Sequence, residues 1–197
     1  MKQYFNENPD ILTNERLLRL SIFDREFSFL ANNGLFSCDK VDAASILLLE
    51  NIPVLTGRVL DLGCGYGAIG IVLAKINDIE LTMSDINSIA LDYAAKNAKL
   101  NQVIAQCIHS DGFDDISGMY DNIVLNPPIH AGKEVMYRLY AGAARHLSHA
   151  GAFYIVIQKK HGAESTIKTL CGIFAECRVL YKKKGIYVLI CLRHCGK

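Results

Sequence analysis

The sequence predicts an α/β protein: a doubly wound, mostly parallel seven-stranded sheet with an antiparallel C-terminal hairpin, plus a small N-terminal β-hairpin. Short apolar segments alternate with helical segments through the middle of the chain, which is typical of parallel strands joined by right-handed crossovers. Two apolar segments near the end flank a basic turn, 182–185, with no helix between them, which indicates antiparallel strands. With 197 residues, 51% of them hydrophobic, the chain can bury a sizeable core.

The N-terminal segments precede this alternation. Residues 1–14 are polar and turn-rich, and we expect a flexible arm in front of a single domain that spans 15–197. Apolar residues alternate with polar ones on both sides of Asp24, which predicts a β-hairpin over 16–31. A helix is predicted over 42–49, because an apolar run there ends shortly before a proline.

The strands and helices of the main sheet follow in turn. Each predicted strand is a short apolar run, and helical periodicity separates the first five of these runs. The predicted strands cover 58–62, 80–84, 105–109, 122–125, 152–158, 178–181 and 186–192. The predicted helices cover 68–75, 88–100, 133–147 and 163–174.

Composition excludes several classes of protein. No run of about 18 apolar residues occurs, so we expect no membrane span. The N-terminus has no apolar signal core, and the 7 cysteines form no Cys-x-x-Cys pair, which favours free thiols in a reducing cytoplasm over disulfides or a zinc site. We therefore expect a cytoplasmic protein without a metal, either a monomer or a weak dimer.

Charge is distributed unevenly along the chain. Residues 1–157 carry 12 Lys and Arg against 18 Asp and Glu, a net charge of −6, whereas residues 158–197 carry 9 against 2, a net charge of +7. A basic end on an acidic domain suggests a polyanionic partner, and a solubilising face is the alternative.

Asn126-Pro127-Pro128 directly follows the predicted strand 122–125. The two prolines lack amide hydrogens and fix φ, so they end the strand at a rigid corner and keep the preceding residues out of the helical region. A carboxamide oxygen and a neighbouring backbone carbonyl can together accept both hydrogens of a planar exocyclic amine. Alone, such a tripeptide is more often a plain turn.

A glycine-rich loop joins the first core strand to the first core helix. Gly63, Gly65 and Gly67 follow Asp61, and such glycines let a ligand approach backbone amides at a helix N-terminus. The segment 65–70 also fits the dinucleotide pattern Gly-x-Gly-x-x-Gly. A carboxylate before the glycines suits a cationic ligand with an amino group and a sulfonium better than it suits a pyrophosphate.

Two further acidic residues follow the next two strands. Asp85 comes after the second strand, where a ribose-binding acid belongs in a doubly wound fold, and capping of the next helix is its alternative role. Asp111 comes after the third strand, where it can accept from an adenine amino group with Phe113 packed on the ring; a plain Asp-Gly turn is the alternative. All these segments end at one edge of a parallel sheet, where ligands bind in such folds.

This ordered set of motifs resembles the class I S-adenosylmethionine-dependent methyltransferases. Three segments make the resemblance more specific: 126–133 (NPPIHAGK), 33–37 (NGLFS) followed by Val41-Asp42, and 158–163 (QKKHGA). Together they resemble the small-domain methyltransferases of the ribosomal RNA small subunit methyltransferase C type, which modify guanine N2 in 16S rRNA. The likeness runs from about residue 15 to 193 and matches single-domain members of that family.

The resemblance implies a Rossmann-like methyltransferase fold, S-adenosylmethionine as cofactor and roles for individual residues. Asp85 would hold the ribose hydroxyls, and Asn126 with the Pro127 carbonyl would hold the target amine in a catalytic role. The implied cofactor-binding residues are Phe36, Asp61, Gly63, Gly65, Asp85, Asp111, Phe113 and Asn126.

The implied partner is rRNA or the small ribosomal subunit. Many amine methyltransferases have an aromatic residue after the two prolines that stacks on the base, whereas this chain has Ile129, so stacking must come from elsewhere, such as Phe36 or His130. The expected substrate-binding residues are Pro128, Ile129, His130, Lys133, Lys159 and Lys160. Lysines 182–184 are expected to contact RNA phosphates as well.

Several alternatives fit parts of the sequence. Related Asn-Pro-Pro methyltransferases modify adenine N6 or a protein glutamine, so the target amine stays open. The Gly65–Gly70 pattern is compatible with an NAD-dependent oxidoreductase, against which Asp61 and Asn126 argue. A non-catalytic RNA-binding module with this fold is the remaining alternative.

Overall fold

The computed structural model describes residues 15–33, 35, 37–128 and 132–193. The predicted arm, 1–14, lies outside these residues. Strands β1 (Glu15–Ile22) and β2 (Arg25–Asn32) form an antiparallel hairpin. The two turn residues, Phe23 and Asp24, have φ values of 54° and 55°, as a type I′ turn requires to match the twist of the strands.

Seven strands form the main sheet, in the order β5-β4-β3-β6-β7-β9-β8. The first five of these positions are parallel, and β9 pairs antiparallel with both β7 and β8. The predicted fold class is therefore confirmed. The strands are β3 (Gly57–Leu62), β4 (Ile79–Asp85), β5 (Ala105–His109), β6 (Tyr120–Leu125), β7 (Leu147–Gln158), β8 (Glu176–Lys183) and β9 (Ile186–Leu192).

Helices cover both faces of this sheet. They are α1 (Ala43–Asn51), α2 (Ala68–Ile76), α3 (Ser88–Leu100), α4 (Lys133–His146) and α5 (Ala163–Ile173), with a short 3-10 helix at Lys159–His161. Side chains alternate along each buried strand: Val59 and Val124 face α1, α2, α3 and the hairpin, while Leu60 and Leu125 face α4 and α5. None of the described helices has the length and apolar character needed to span a membrane.

The start of β7 and the extent of the basic turn differ from the prediction for physical reasons, while the other boundaries agree with it to within two residues. The helix predicted over 133–147 ends at His146, and Leu147 begins β7 by pairing with Tyr120. A register shift then resumes the pairing at Ala152, so polar residues interrupt the apolar run and hide the first part of the strand. The predicted basic turn is also shorter, because two of its lysines pair in β8 with Tyr187 and Ile186.

Two asparagines, one in α3 and one directly after it, attach the N-terminal hairpin to the main domain. Asn97, which is fully buried, donates to the carbonyls of Leu30 and Tyr66 at 2.9 Å each and accepts from the Leu30 amide at 2.7 Å. One turn later, Asn101 makes the same pair of bonds with the backbone of Ser28. Because Tyr66 belongs to the glycine-rich loop, Asn97 connects the hairpin to that loop.

Candidate active site

The register of the sheet brings the predicted motifs together at one edge. Leu62, the last residue of β3, pairs with Ser84 on one side and with Leu125 on the other. The next residues along the chain are Gly63 after Leu62, Asp85 after Ser84 and Asn126 after Leu125. The three motifs therefore start side by side. They lie where the strand order reverses between β3 and β6, which is the ligand-binding position of open α/β sheets.

The glycine-rich loop has the conformation that its glycines permit. Gly65 and Gly67 have φ values of 56° and 90°, a region that side chains other than glycine rarely adopt. At Gly67, which precedes α2, an added Cβ would lie 3.0 Å from Ile71 Cδ1 and 3.3 Å from the Ala94 Cα. At Gly65 an added Cβ would meet no atom within 4 Å, so this part of the loop borders open space.

Asp61 lies beneath the loop and is only 1% exposed. Its carboxylate accepts from the Gly70 amide at 2.7 Å, one of the amides at the start of α2 that lack an intrahelical partner. Burial, and to a smaller extent the charge of Asp85, raise the pKa of Asp61 from 3.8 to about 7, although the Gly70 hydrogen bond opposes this change. Asp61 therefore supports the loop and is easily protonated.

Asp85 holds the opposite side of the loop. One carboxylate oxygen accepts from the Gly65 amide at 2.8 Å and the other from the Asn87 amide at 2.9 Å. Burial raises its pKa, and these two bonds, a third from Ile86 and the nearby His109 partly offset the increase. Asn87 rather than Asp85 caps α3, through bonds to the amides of Ile89 and Ala90.

Asp111 and Phe113 follow β5 and contact α4. Asp111 forms an ion pair with Arg138, and both side chains are close to half exposed. The Phe113 ring stacks on His146 with a centroid distance of 4.5 Å. It also covers Gly142, where an added Cβ would lie 2.2 Å from Phe113 Cδ2. One oxygen of Asp111 is thus engaged by Arg138, a partner that the sequence did not predict.

Asn126 is half-buried and contacts α1. Its Nδ2 donates to Ser45 Oγ at 2.9 Å and to Asp42 Oδ2 at 3.2 Å. The sequence indicated Asp42 only as the start of a helix and part of a motif, and Ser45 was not predicted as a site residue. Nothing in the spacing indicates that these residues meet a side chain more than 80 positions later.

The other predicted substrate residues surround Asn126 to different extents. Pro127 is buried and Pro128 is half-buried, while Lys133 is exposed at the start of α4. Phe36, Ile129 and His130 lie outside the described residues.

A cluster of exposed lysines lies at the same sheet edge. Lys159 and Lys160 follow β7, the neighbour of β6. The Lys159 amide donates to the Gly185 carbonyl at 2.7 Å, so the turn between β8 and β9 lies against them. We call this cluster the basic edge; it comprises Lys159, Lys160, Lys182, Lys183 and Lys184, all exposed. Within the described residues no group of three or more metal-ligating side chains occurs.

These residues fit S-adenosylmethionine. The open space at Gly65 leaves room beside the loop, and Asp85 offers a carboxylate there for hydroxyl groups. The buried carboxylate of Asp61 accepts its hydrogen bond from the Gly70 amide, which carries no net charge. Asp61 can therefore compensate the positive charge of a ligand. The side chains of Asp61 and Asp85 are therefore acidic acceptors beside this loop, which favours a cationic ligand.

Comparisons with known proteins agree with this description. The model of the family "Methyltransferase small domain" matches residues 26–190. The chain is 37% identical over 194 residues to "Uncharacterized protein YbxB" of Bacillus subtilis, covering 95% of this chain and 96% of that one. It is 40% identical over 138 residues to "Ribosomal RNA small subunit methyltransferase C" of Aeromonas hydrophila, covering 68% of this chain and 40% of the relative.

A solved structure is similar over almost the whole chain. It is the T. thermophilus 16S rRNA N2 G1207 methyltransferase (RsmC) in complex with AdoMet and guanosine, with a TM-score of 0.84 and 29% identity over 96% of this chain and 53% of that one. The chain thus spans about half of that protein and 40% of the Aeromonas relative.

Proposed function

This chain belongs to the methyltransferase small domain family, whose cofactor is S-adenosylmethionine, and we propose that it methylates an exocyclic amine of a nucleobase, guanine N2 in 16S rRNA. The observation that carries this proposal is the placement of Asn126 beside the glycine-rich loop through the pairing of Leu125 with Leu62. Support for guanine comes from the similar RsmC structure, which contains guanosine.

Residues on the β3–β4–β5 side would hold the cofactor. Gly63 and Gly65 would lie under its methionine part with Asp61 near the positive charge, and Asp85 would accept from the ribose hydroxyls. Asp111 would receive the adenine amino group on the oxygen that does not face Arg138. When bound, the cofactor supplies a methyl group on a positively charged sulfur.

Asn126 and Pro127 would hold the target amine. The side-chain oxygen of Asn126 and the carbonyl of Pro127 each accept one amine hydrogen, which directs the nitrogen lone pair away from the ring and favours the more tetrahedral geometry of the transition state. Because the nitrogen becomes acidic as it gains a methyl group, its proton can pass to water and no strong base is needed. Positioning of this kind is worth up to ~7–11 kcal/mol.

The basic edge would bind the RNA. Its five lysines are exposed and lie at the same edge as Asn126, where they can neutralise phosphates without reading bases. A substrate nucleotide could then enter between the basic edge and the acidic cofactor side. Methylation of adenine N6 or of a protein glutamine would use the same two acceptors, and the lysines favour RNA over protein.

The test is a methylation assay with tritiated S-adenosylmethionine. Unmodified 16S rRNA, 30S particles and a release factor are offered in parallel, and labelled RNA is digested to identify the methylated nucleoside. We expect N2-methylguanosine from rRNA or 30S particles. Asn126→Ala should lower turnover by ~100-fold or more, with the affinity for S-adenosylhomocysteine unchanged. Label in the release factor alone, or wild-type turnover by Asn126→Ala, would contradict the proposal.

A further inference from the structure

The side-chain amide of Asn126 is held from behind by the first turn of α1. One N–H donates to Ser45 Oγ and the other to Asp42 Oδ2. Since the nitrogen that carries both hydrogens faces α1, the oxygen of the carboxamide is directed away from these two partners. The site therefore offers an acceptor to whatever lies in front of Asn126.

The chemistry of the two partners fixes this orientation. A carboxylate such as Asp42 can only accept hydrogen bonds. The Ser45 hydroxyl donates its one hydrogen to Asp42 Oδ2, so toward Asn126 it can only accept. A flipped amide would place its oxygen against Asp42 Oδ2 with no hydrogen between them, the Ser45 hydroxyl could reach it only by giving up its bond to Asp42, and both N–H groups would lose their partners.

The two oxygens of Asp42 have separate roles. Oδ1 caps α1 by accepting from the amides of Ala44 at 2.9 Å and Ser45 at 3.1 Å. Oδ2 accepts from Ser45 Oγ and from Asn126. Because Ser45 is only 5% exposed and α1 packs against β7 and β9, the cap is a rigid support for the amide.

We propose that Asp42 and Ser45 are positioning residues that fix the amide of Asn126 with its oxygen toward the substrate. The inference rests on the proposed function, in which Asn126 accepts from the target amine. It also restricts the substrate: the site selects a group with N–H donors and rejects a carbonyl at the same place, such as guanine O6.

Asp42→Asn tests the orientation without removing the cap. Asparagine keeps the oxygen that caps α1, and asparagine is itself a good N-cap residue, but it places an N–H₂ group where Oδ2 was. That group can donate to Ser45 Oγ, but it can donate to Asn126 only if the Asn126 amide turns over. The turned amide then presents its own N–H₂ group to the substrate in place of its oxygen. We expect kcat to fall by ~100-fold or more, the size of effect seen when one well-placed polar group in a transition state is lost.

Exchanging the two residues should restore the polarity. The double variant Asp42→Asn/Asn126→Asp has an amide at position 42 and a carboxylate at position 126. One oxygen of this carboxylate can accept from the amide and from the Ser45 hydroxyl, and the other can accept from the target amine. We expect at least tenfold higher kcat than for Asp42→Asn alone. Asn126→Asp alone places two carboxylates against each other and should stay inactive. Recovery in the double variant would not follow from a purely structural role of Asp42.

Two further variants control for folding. Ser45→Ala keeps the backbone cap and removes one acceptor, and we expect a smaller loss of kcat, about tenfold. Asn51→Ala removes a bond to the Leu47 carbonyl at the other end of α1, so it perturbs the same helix away from Asn126 and should keep wild-type kcat. A readout that needs no cofactor is the NMR signal of the Asn126 side-chain amide, whose exchange with water should be slow in the wild type and fast in Asp42→Asn.

The outcomes separate this inference from the proposed function. If Asn126→Ala loses turnover while Asp42→Asn and Ser45→Ala keep wild-type kcat, the positioning inference is wrong and the proposed function stands. If Asn126→Ala itself keeps wild-type turnover, the proposed function fails. A double variant no more active than Asp42→Asn, or an Asn126 amide signal unchanged by Asp42→Asn, would also overturn the inference.

Discussion

The buried carboxyl group of Asp61 makes stability depend on pH. Its pKa is raised from 3.8 to about 7, mainly by burial. A group whose pKa is higher in the folded state stabilises the fold fully below its unfolded pKa, and that contribution is lost as pH rises through the folded pKa. The gap between the two values corresponds to ~4 kcal/mol. We therefore expect the free energy of unfolding to fall by up to that amount between about pH 4 and pH 8.

Asp61→Asn isolates this contribution. Asparagine does not ionise, and its side-chain oxygen can still accept from the Gly70 amide, whose bond to Asp61 is 2.7 Å long. Urea unfolding at several pH values should show the variant gaining stability relative to the wild type as pH rises from about 5 to 8, because all other titrating groups are common to both proteins. If the two stability curves run parallel over this range, Asp61 is already ionised in the folded protein and its raised pKa is refuted.

The same group should couple cofactor binding to proton release. A positively charged ligand favours the carboxylate form of Asp61, so binding below about pH 7 must release its proton. We expect affinity for S-adenosylmethionine to rise by about tenfold between pH 5 and 6 and by about fivefold between pH 6 and 7, with about 0.9 protons released at pH 6. Calorimetry in two buffers of different ionisation enthalpy measures the release. Equal release by wild type and Asp61→Asn would place the cofactor charge elsewhere.

Three other variants test the surrounding structure. Asp85→Ala removes the bond that holds the Gly65 amide. Because hydrogen bonds to charged groups are worth ~1.5–3 kcal/mol each, calorimetry should show S-adenosylhomocysteine binding weakened by ~10-fold or more. Unchanged affinity would exclude Asp85 from the cofactor site. Asn97→Ala leaves backbone groups of the hairpin without partners and should lower the free energy of unfolding by ~2–5 kcal/mol. Asn101 is only half-buried, so Asn101→Ala should cause a smaller loss. Equal losses would show that the burial of Asn97 is not the cause. Replacing the five lysines of the basic edge by glutamine should reduce the slope of log affinity for RNA against log salt concentration by several units, at roughly 0.7–0.9 per phosphate contact, with cofactor affinity unchanged. The control is an equal number of glutamine substitutions elsewhere on the surface. An unaltered slope would mean that RNA binds another surface.

The main sheet could be predicted from the sequence because parallel strands buried on both faces consist of short apolar runs. The predicted range 105–109 agrees with β5, and the motifs lie together at one edge of the sheet, as their order along the chain indicated. The start of β7 could not be predicted, because Ser148, His149 and Gly151 interrupt the apolar run and the pairing shifts there. That feature depends on the partner strand β6 and leaves no periodic pattern in the sequence.

The support for Asn126 could not be predicted either. A cap of Asp42 on α1 is a local interaction, and the sequence placed the helix at nearly the correct residue. The contact with Asn126 is made across 84 positions of chain and exists only because α1 packs against β7 and β9 with its first turn beside the residue that follows β6. Likewise, the ion pair of Asp111 with Arg138 joins a loop to a helix that follows the next strand. Such contacts follow from topology, which periodicity does not encode.

The strand order also explains how one sheet edge can serve two ligands of opposite charge. Strands β3, β4 and β5 lie on one side of the reversal; Asp61 and Asp85 lie at the carboxyl ends of β3 and β4, and Asp111 lies in the loop after β5. Strands β7, β8 and β9 lie on the other side and hold the basic edge. Under the proposed function, the acidic side admits a cationic cofactor and repels phosphates, while the basic side attracts RNA. Asn126 follows β6, at the boundary between the two sides, where under the proposed function a methyl group from one side would meet an amine from the other.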